Sequence, residues 1–466
     1  MSRMEKRYGL MTTACLIIGA VIGSGIFFLN ETVFAATGGM LWMAAAAWLL
    51  GGAIMFVMLW VWGQLAKEKE GMAGLMDYAD KLIGPRYAYF LTWFLGTILY
   101  PGFGAILAWV SARFTAQLLG WEQIFTSGPV WMLAGCYLVF MYVMNVLSPK
   151  LAGHFQVSTT FIKVIPLILM GIVGITFGIF TGNYETNLQF GSLLAESDLR
   201  NPFYVAVLAT IFAYAGSEEV LMMKSEIKDS KRTLPRAIII AGIVIILIYV
   251  GYTVGVFGAA PIESLATSGG ILAAFNGVFG QFMGRMLFVF IIISCLGAMN
   301  SGMMAGMRSF YMCAYKGMGP NPEAVKVVDP GTDMPASSSA MYLLFTGITL
   351  FIIFANAQEI APYGAQWASH YRWFSQWFGP GVTVGLTALA PITLMTFYIP
   401  IFVKVILREF TWNFFNRFVA PIASICGALL LIYMTFHSNP IGSTIYLIYF
   451  MIIMGIGAFF LVRNKK

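Results

Sequence analysis

Charge is scarce in this 466-residue chain: only 10% of its residues are Asp, Glu, Lys or Arg, where a soluble domain carries roughly 25%. With 59% hydrophobic residues and a mean hydropathy of +0.81, it lacks the polar surface that a water-soluble fold of this length needs. An integral membrane protein is the class that remains. Polar stretches are short as well, the longest being Lys67 to Arg86, Asn183 to Asn201, Tyr315 to Ala336 and Ala355 to Gln376. No separate soluble domain fits into them, so any chemistry lies inside the membrane-embedded part. The three histidines, His154, His370 and His437, are far apart, and the five cysteines, Cys15, Cys136, Cys295, Cys313 and Cys426, have no metal-ligand spacing. No metal site and no cofactor is expected, and the thiols read as free and buried. Nor do the apolar runs carry a recognisable catalytic dyad, so an enzyme is not expected.

What the chain does have is apolar length. Twelve runs are centred on 10 to 37, 41 to 66, 87 to 119, 129 to 147, 153 to 180, 202 to 223, 237 to 258, 278 to 314, 338 to 355, 378 to 407, 416 to 436 and 440 to 462. A membrane-crossing helix needs about 20 such residues, and runs this uniform indicate helices rather than a barrel. The first run is longer than the ~7 to 15 apolar residues of a signal peptide and lacks a cleavage site, so it is expected to stay in the membrane. The net charge of +7 does not point to nucleic acid, because the charges are sorted. With a cytoplasmic N-terminus, 22 of the 27 lysines and arginines fall on the inner face, among them Arg3, Lys67, Lys150, Lys224, Arg232, Lys316, Lys404 and Lys466. The expectation is a multi-pass protein of the plasma (inner) membrane with both termini cytoplasmic, whose lipid partner favours those charges.

Two runs are interrupted. In "IIGAVIGSGIFFLN" the first run carries Gly19, Gly23, Ser24 and Gly25; in "IFAYAGSEEVLMM" the sixth carries Gly216, Ser217, Glu218 and Glu219. Gly19 and Gly23 alone also fit the small-residue spacing of close helix packing. Two breaks five spans apart say more: an odd number of spans means that a second set of five enters from the opposite side, giving an inverted repeat, the layout of many secondary transporters. On this reading residues 1–400 form the transport core, with a first repeat over 10–180 and an inverted second over 202–407, and 416–462 adds two helices. Backbone N–H groups starting near Gly25 favour an anionic group, and carbonyls ending near Ala213 favour a cationic one. A carboxylate and an ammonium a few ångströms apart describe an α-amino acid.

Four stretches carry a family resemblance: "GAVIGSGIF" in run 1, "FAYAGSEE" in run 6, the following "SEIKDSKRTLPRAI", and "SCLGAMNSGMMAGMRSFYMCAYKGMGP" in run 8. In order and spacing the chain resembles the amino acid, polyamine and organocation (APC) family of permeases. The resemblance implies an all-α membrane fold of the LeuT type, five plus five inverted helices followed by two more, with helices 1 and 6 broken. Asp229 and Ser230 stand where the family usually has Asn-Pro, and "YGAQWASHYRWFSQWFGPG" is unfamiliar. The subfamily therefore does not follow.

The resemblance also assigns residues. Ile22, Gly23, Ser24, Gly25 and Ile26 from run 1, with Phe212, Ala213, Tyr214 and Gly216 from run 6, are the expected substrate contacts. Phe212 is expected as an aromatic lid, and Tyr100, where Pro101 and Gly102 interrupt run 3, is expected at the side-chain pocket. Lys163, about ten residues into run 5, is near the middle of the membrane, where an unpaired charge costs at least about 2.5 to 3.5 kcal/mol. It should be compensated by carbonyls of the first break and by hydroxyls of run 8, Ser294 and Ser301, at the place where sodium-coupled relatives hold a sodium ion. Glu218 resembles a glutamate of proton-linked family members. Glu219, about 100° further around a helix, is expected toward the inner vestibule and Lys224. Asn300 and Arg308 match the run 8 pattern, Arg308 as a cytoplasmic gate residue. The expected function is secondary transport of an amino acid or derived amine, sodium-independent, by proton symport or exchange, in a monomer or homodimer. A receptor or channel on the same scaffold is the alternative, although neither a signalling domain nor a filter motif supports it.

Overall fold

A computed structural model describes residues 6, 8–23, 25–68, 74–121, 128–194, 202–266, 269–360, 389–408, 412–438 and 440–463. Among them the chain is helical, with isolated bridges in place of strands. In chain order the elements are α1 (Leu10–Val21), α2 (Gly25–Ala36), α3 (Leu41–Glu68), α4 (Leu75–Leu82), α5 (Pro85–Leu118), α6 (Gly128–Leu147), α7 (Pro149–Thr181) and α8 (Asn183–Leu194). They continue with α9 (Pro202–Tyr214), α10 (Glu219–Met222), α11 (Ser230–Ala259), α12 (Gly270–Tyr315), α13 (Ala336–Ile360), α14 (Ala390–Leu407), α15 (Ala420–Ser438) and α16 (Pro440–Arg463).

Among the described residues, ten helices are long and apolar enough to cross a membrane. The first and sixth runs are not among them, because each is divided, α1 from α2 and α9 from α10. Large apolar side chains such as Phe180 (90% exposed), Met132 (70%) and Leu247 (67%) cover the outside, which suits lipid and not water. The run expected over 278 to 314 falls within α12, which kinks at Gly280 near the run's start, where a φ of 81° suits only glycine. The expected interruption at Tyr100 is not a break. Pro101 has no N–H for the carbonyl of Thr97, and α5 absorbs the lost bond as a π turn over Leu95–Leu99 while staying continuous.

Small residues bring two long helices together at backbone distance. A Cβ on Gly174 of α7 would lie 2.4 Å from Gly255 O of α11, and one on Gly178 would lie 2.5 Å from Gly258 Cα. Lipid offers no hydrophobic drive between helices, so such close van der Waals approach carries the association. A polar seam adds to it: Asn145 of α6 donates to Asn300 Oδ1 (2.8 Å), and Asn300 donates to Gln156 Oε1 of α7 (2.9 Å).

At the end of the bundle near the N-terminus, Tyr8 pairs with the segment after α10 through Tyr8 N to Glu226 O (3.0 Å) and Lys228 N to Tyr8 O (2.9 Å). Arg308 of α12 reaches the same segment, its Nε 2.6 Å from Glu226 Oε1 with both side chains buried. Lys316, just past α12, lies 2.8 Å from Asp77 and 2.5 Å from Asp80 of α4. Partial burial by itself would lower its pKa, but hydrogen bonds and charge from the two aspartates outweigh that and raise it.

Candidate functional site

The two breaks face each other. After α1 the chain leaves helical geometry at Ile22 (ψ 92°), and α2 begins at Gly25. After α9, Gly216 adopts φ +100°, and α10 starts only at Glu219. Contact between the strands of chain is close: a Cβ on Gly25 would lie 3.3 Å from Ala213 Cα, and one on Gly216 would lie 3.1 Å from Ala20 O. Tyr249 of α11 ties them, its hydroxyl lying 3.0 Å from Ala213 O and 3.2 Å from Val21 O.

Lys163 meets the first break from the side. It is fully buried, and its Nζ donates to Gly19 O and Ile22 O, both at 2.5 Å. Ser294 of α12 donates to Ile22 O and Gly23 O, both at 3.1 Å. The carbonyls that end α1 thus gather an ammonium and a hydroxyl, which satisfies groups the helix itself cannot. Gly19 leaves the space for this approach, since a Cβ there would come within 2.2 Å of Gln156 Nε2 and 2.4 Å of Thr160 Oγ1.

A cavity lies between the breaks, lined by Ala20, Val21, Gly23, Gly25, Phe103, Ile106, Leu107, Ala213, Ala215, Gly216, Glu219 and Ala298. Of the expected contacts it therefore takes Gly23, Gly25, Ala213 and Gly216. Ile22 and Ile26 are fully buried beside it. Ser24 lies outside the described residues, as does the side chain of Phe212.

Several expected residues sit elsewhere. Tyr214 turns away, donating its hydroxyl to Trp48 O of α3 (3.0 Å) and packing edge-on to the Trp48 ring. Tyr100 does not line this cavity, but its buried side chain feels the charges of Glu218 and Glu219, and its carbonyl accepts from Tyr342 Oη of α13 (3.3 Å). Phe103, Ile106 and Leu107 line the cavity in its place, a consequence of the π turn, which shifts the phase of α5 just before them. Ser301 is not on the carbonyls around Lys163; its hydroxyl meets the Glu219 carboxylate. Lys224 bonds Tyr78 Oη, while Glu219 lines the cavity between the breaks.

The two glutamates separate. Glu218 lines a second, largely apolar cavity with Met55, Met58, Trp62, Ser217, Leu394 and Tyr398, between α3 and α14. Glu219 lines the cavity between the breaks and lies against α12, with Oε1 3.2 Å from where a Gly302 Cβ would be. Its 100° expectation failed because residues 215–218 form turns rather than helix, so helical phase does not carry across them. The signal was the doubled acid after glycine; only the geometry of the turn decides which acid faces inward. Among the described residues no cluster of His, Cys, Asp or Glu has a metal-holding arrangement.

Comparison with known proteins places this architecture. The chain is similar to the serine/threonine exchanger SteT of Bacillus subtilis, 26% identical over 334 residues, which cover 71% of this chain and 73% of that one. It is also similar to the human cystine/glutamate transporter, 23% identical over 350 residues (74% and 69% of the two chains), and to the rabbit large neutral amino acids transporter small subunit 2, 25% identical over 357 residues (76% and 65%). With a match to the amino acid permease family that runs over residues 8–459, on a scaffold of long apolar helices, the chain belongs to that family of multi-pass membrane transporters.

Proposed function

We propose that this protein is a secondary active transporter of amino acids, working by alternating access, sodium-independent and coupled to protons or to exchange. The reading takes α1–α2 and α9–α10 as broken first and sixth spans of a five-plus-five inverted repeat over 10–180 and 202–407, with both termini in the cytoplasm. Amino acid substrates are favoured by the relatives, whose names are those of amino acid exchangers and transporters. The substrate carboxylate sits at the N–H groups of Gly25 and Ile26, where α2 begins and its first donors have no partner within the helix.

One observation supports sodium independence above others: Lys163 Nζ on Gly19 O and Ile22 O. A fixed cation already balances those carbonyls, and a mobile one is not needed. Glu218 is the proton-linked group in this account, since a carboxylate in an apolar cavity beside Tyr398 is costly while charged. Purified protein screened by thermal shift against the twenty amino acids and common polyamines tests the substrate class, because a ligand of the folded state raises its stability. Uptake by proteoliposomes under imposed sodium or proton gradients then tests the coupling. Uptake that requires sodium contradicts the role given to Lys163.

A further inference from the structure

The carbonyls expected to meet a substrate ammonium already face protein donors. Tyr249 Oη has one proton for Ala213 O or Val21 O, Lys163 Nζ donates to Gly19 O and Ile22 O, and Ser294 Oγ lies 3.1 Å from Gly23 O. Among the described residues lining the cavity, one carries an ionisable side chain, Glu219. It is 2% exposed, and the Ser301 hydroxyl is its side-chain hydrogen-bond donor. One neutral hydroxyl leaves a buried carboxylate short of donors, which is costly unless a ligand supplies more. Its Oε1 lies 3.5 Å from the position a Gly216 Cβ would take, and Ala20 O lies 3.1 Å from that same point. A carboxylate and a carbonyl thus flank a spot that only glycine leaves open, on the cavity's edge.

We propose that Glu219 is the anchor of the substrate's ammonium group, in the place the helix carbonyls were expected to fill. The remaining walls, Val21, Phe103, Ile106, Leu107 and Ala298, are apolar and meet the substrate's side chain. The assignment rests on the cavity being the substrate site. It adds that recognition of the amine depends on one side chain rather than on backbone alone.

The test is a binding cycle with matched ligands. L-Leucine, L-serine and L-arginine are compared with the 2-hydroxy acids of the same side chains, which keep the carboxylate and replace the ammonium with a hydroxyl. In the unaltered protein, binding of whichever amino acid is recognised should weaken at least about 30-fold on that replacement, as for other buried charge-assisted pairs. In Glu219→Gln the amino acid and its hydroxy acid should bind within about threefold of each other, the hydroxy acid as tightly as before. Glu219→Asp keeps the charge and should keep the discrimination, which guards against a Gln variant that fails to fold. An unchanged ratio in Glu219→Gln, or discrimination lost in Glu219→Asp, overturns the assignment. If no amino acid binds the unaltered protein in this panel or in the full screen, the carrier reading itself fails, a different result from an amino acid that binds with no preference for its ammonium.

Discussion

Lys163 and Arg308 are both fully buried cations, but they answer to different partners. Lys163 is held by backbone carbonyls, and removing it leaves Gly19 O and Ile22 O short of a donor at the point where α1 ends. Hydrogen bonds to charged groups contribute about 1.5 to 3 kcal/mol each, so Lys163→Met should lower the initial rate of uptake at least about tenfold and lower the unfolding temperature in detergent. Arg308 is paired with Glu226 at 2.6 Å. Arg308→Ala strands a buried carboxylate, a loss of about 3 to 5 kcal/mol, whereas replacing both partners with neutral residues of similar size costs much less. The double variant Arg308→Met, Glu226→Gln should therefore melt above the single Arg308→Ala. A double variant that melts lower than the single one would show that the pair is not the cause.

Among the elements, the glycine contact between α7 and α11 has a built-in control. Gly174→Leu puts a side chain where Gly255 O already lies 2.4 Å from the Cβ position, while a Cβ on Gly251 meets nothing within 4 Å. The first should abolish folded protein, judged by a monodisperse peak in size-exclusion chromatography, and Gly251→Ala should leave the peak unchanged. Long apolar runs made the spans legible in the sequence, and Gly23 and Gly25 in run 1 and Gly216 in run 6 marked the two breaks, because in lipid a helix loses backbone bonds only for a reason. What was not legible depended on phase. Pro101 reads as a break after Tyr100; a π turn lets α5 continue, and Phe103, Ile106 and Leu107 line the cavity. Helical arithmetic across residues 215–218, which are not helix, sends Glu219 toward the inner vestibule and Lys224 instead of the cavity, and nothing in the sequence marks the α3 partner of the Tyr214 hydroxyl. Pro101→Ala supplies the missing N–H, so it should let the π turn relax and raise KM several-fold through the displaced cavity wall.

At the scale of the whole molecule, the sorting of basic residues makes a claim about sidedness. In a cysteine-free background, a membrane-impermeant maleimide applied to intact cells should label Glu263→Cys, which follows α11 and is exposed, and should spare Lys326→Cys, which follows α12. The reverse pattern would invert the topology. The central claim joins that topology to the site: a fixed lysine stands where a coupling cation would, beside a cavity closed by two broken helices. Counterflow of a labelled amino acid identified in the binding screen, into proteoliposomes preloaded with the same unlabelled amino acid, tests it most directly when sodium is replaced by choline on both sides. Equal, saturable uptake is expected in the two salts; uptake that appears only with sodium would show that Lys163 does not stand in for it.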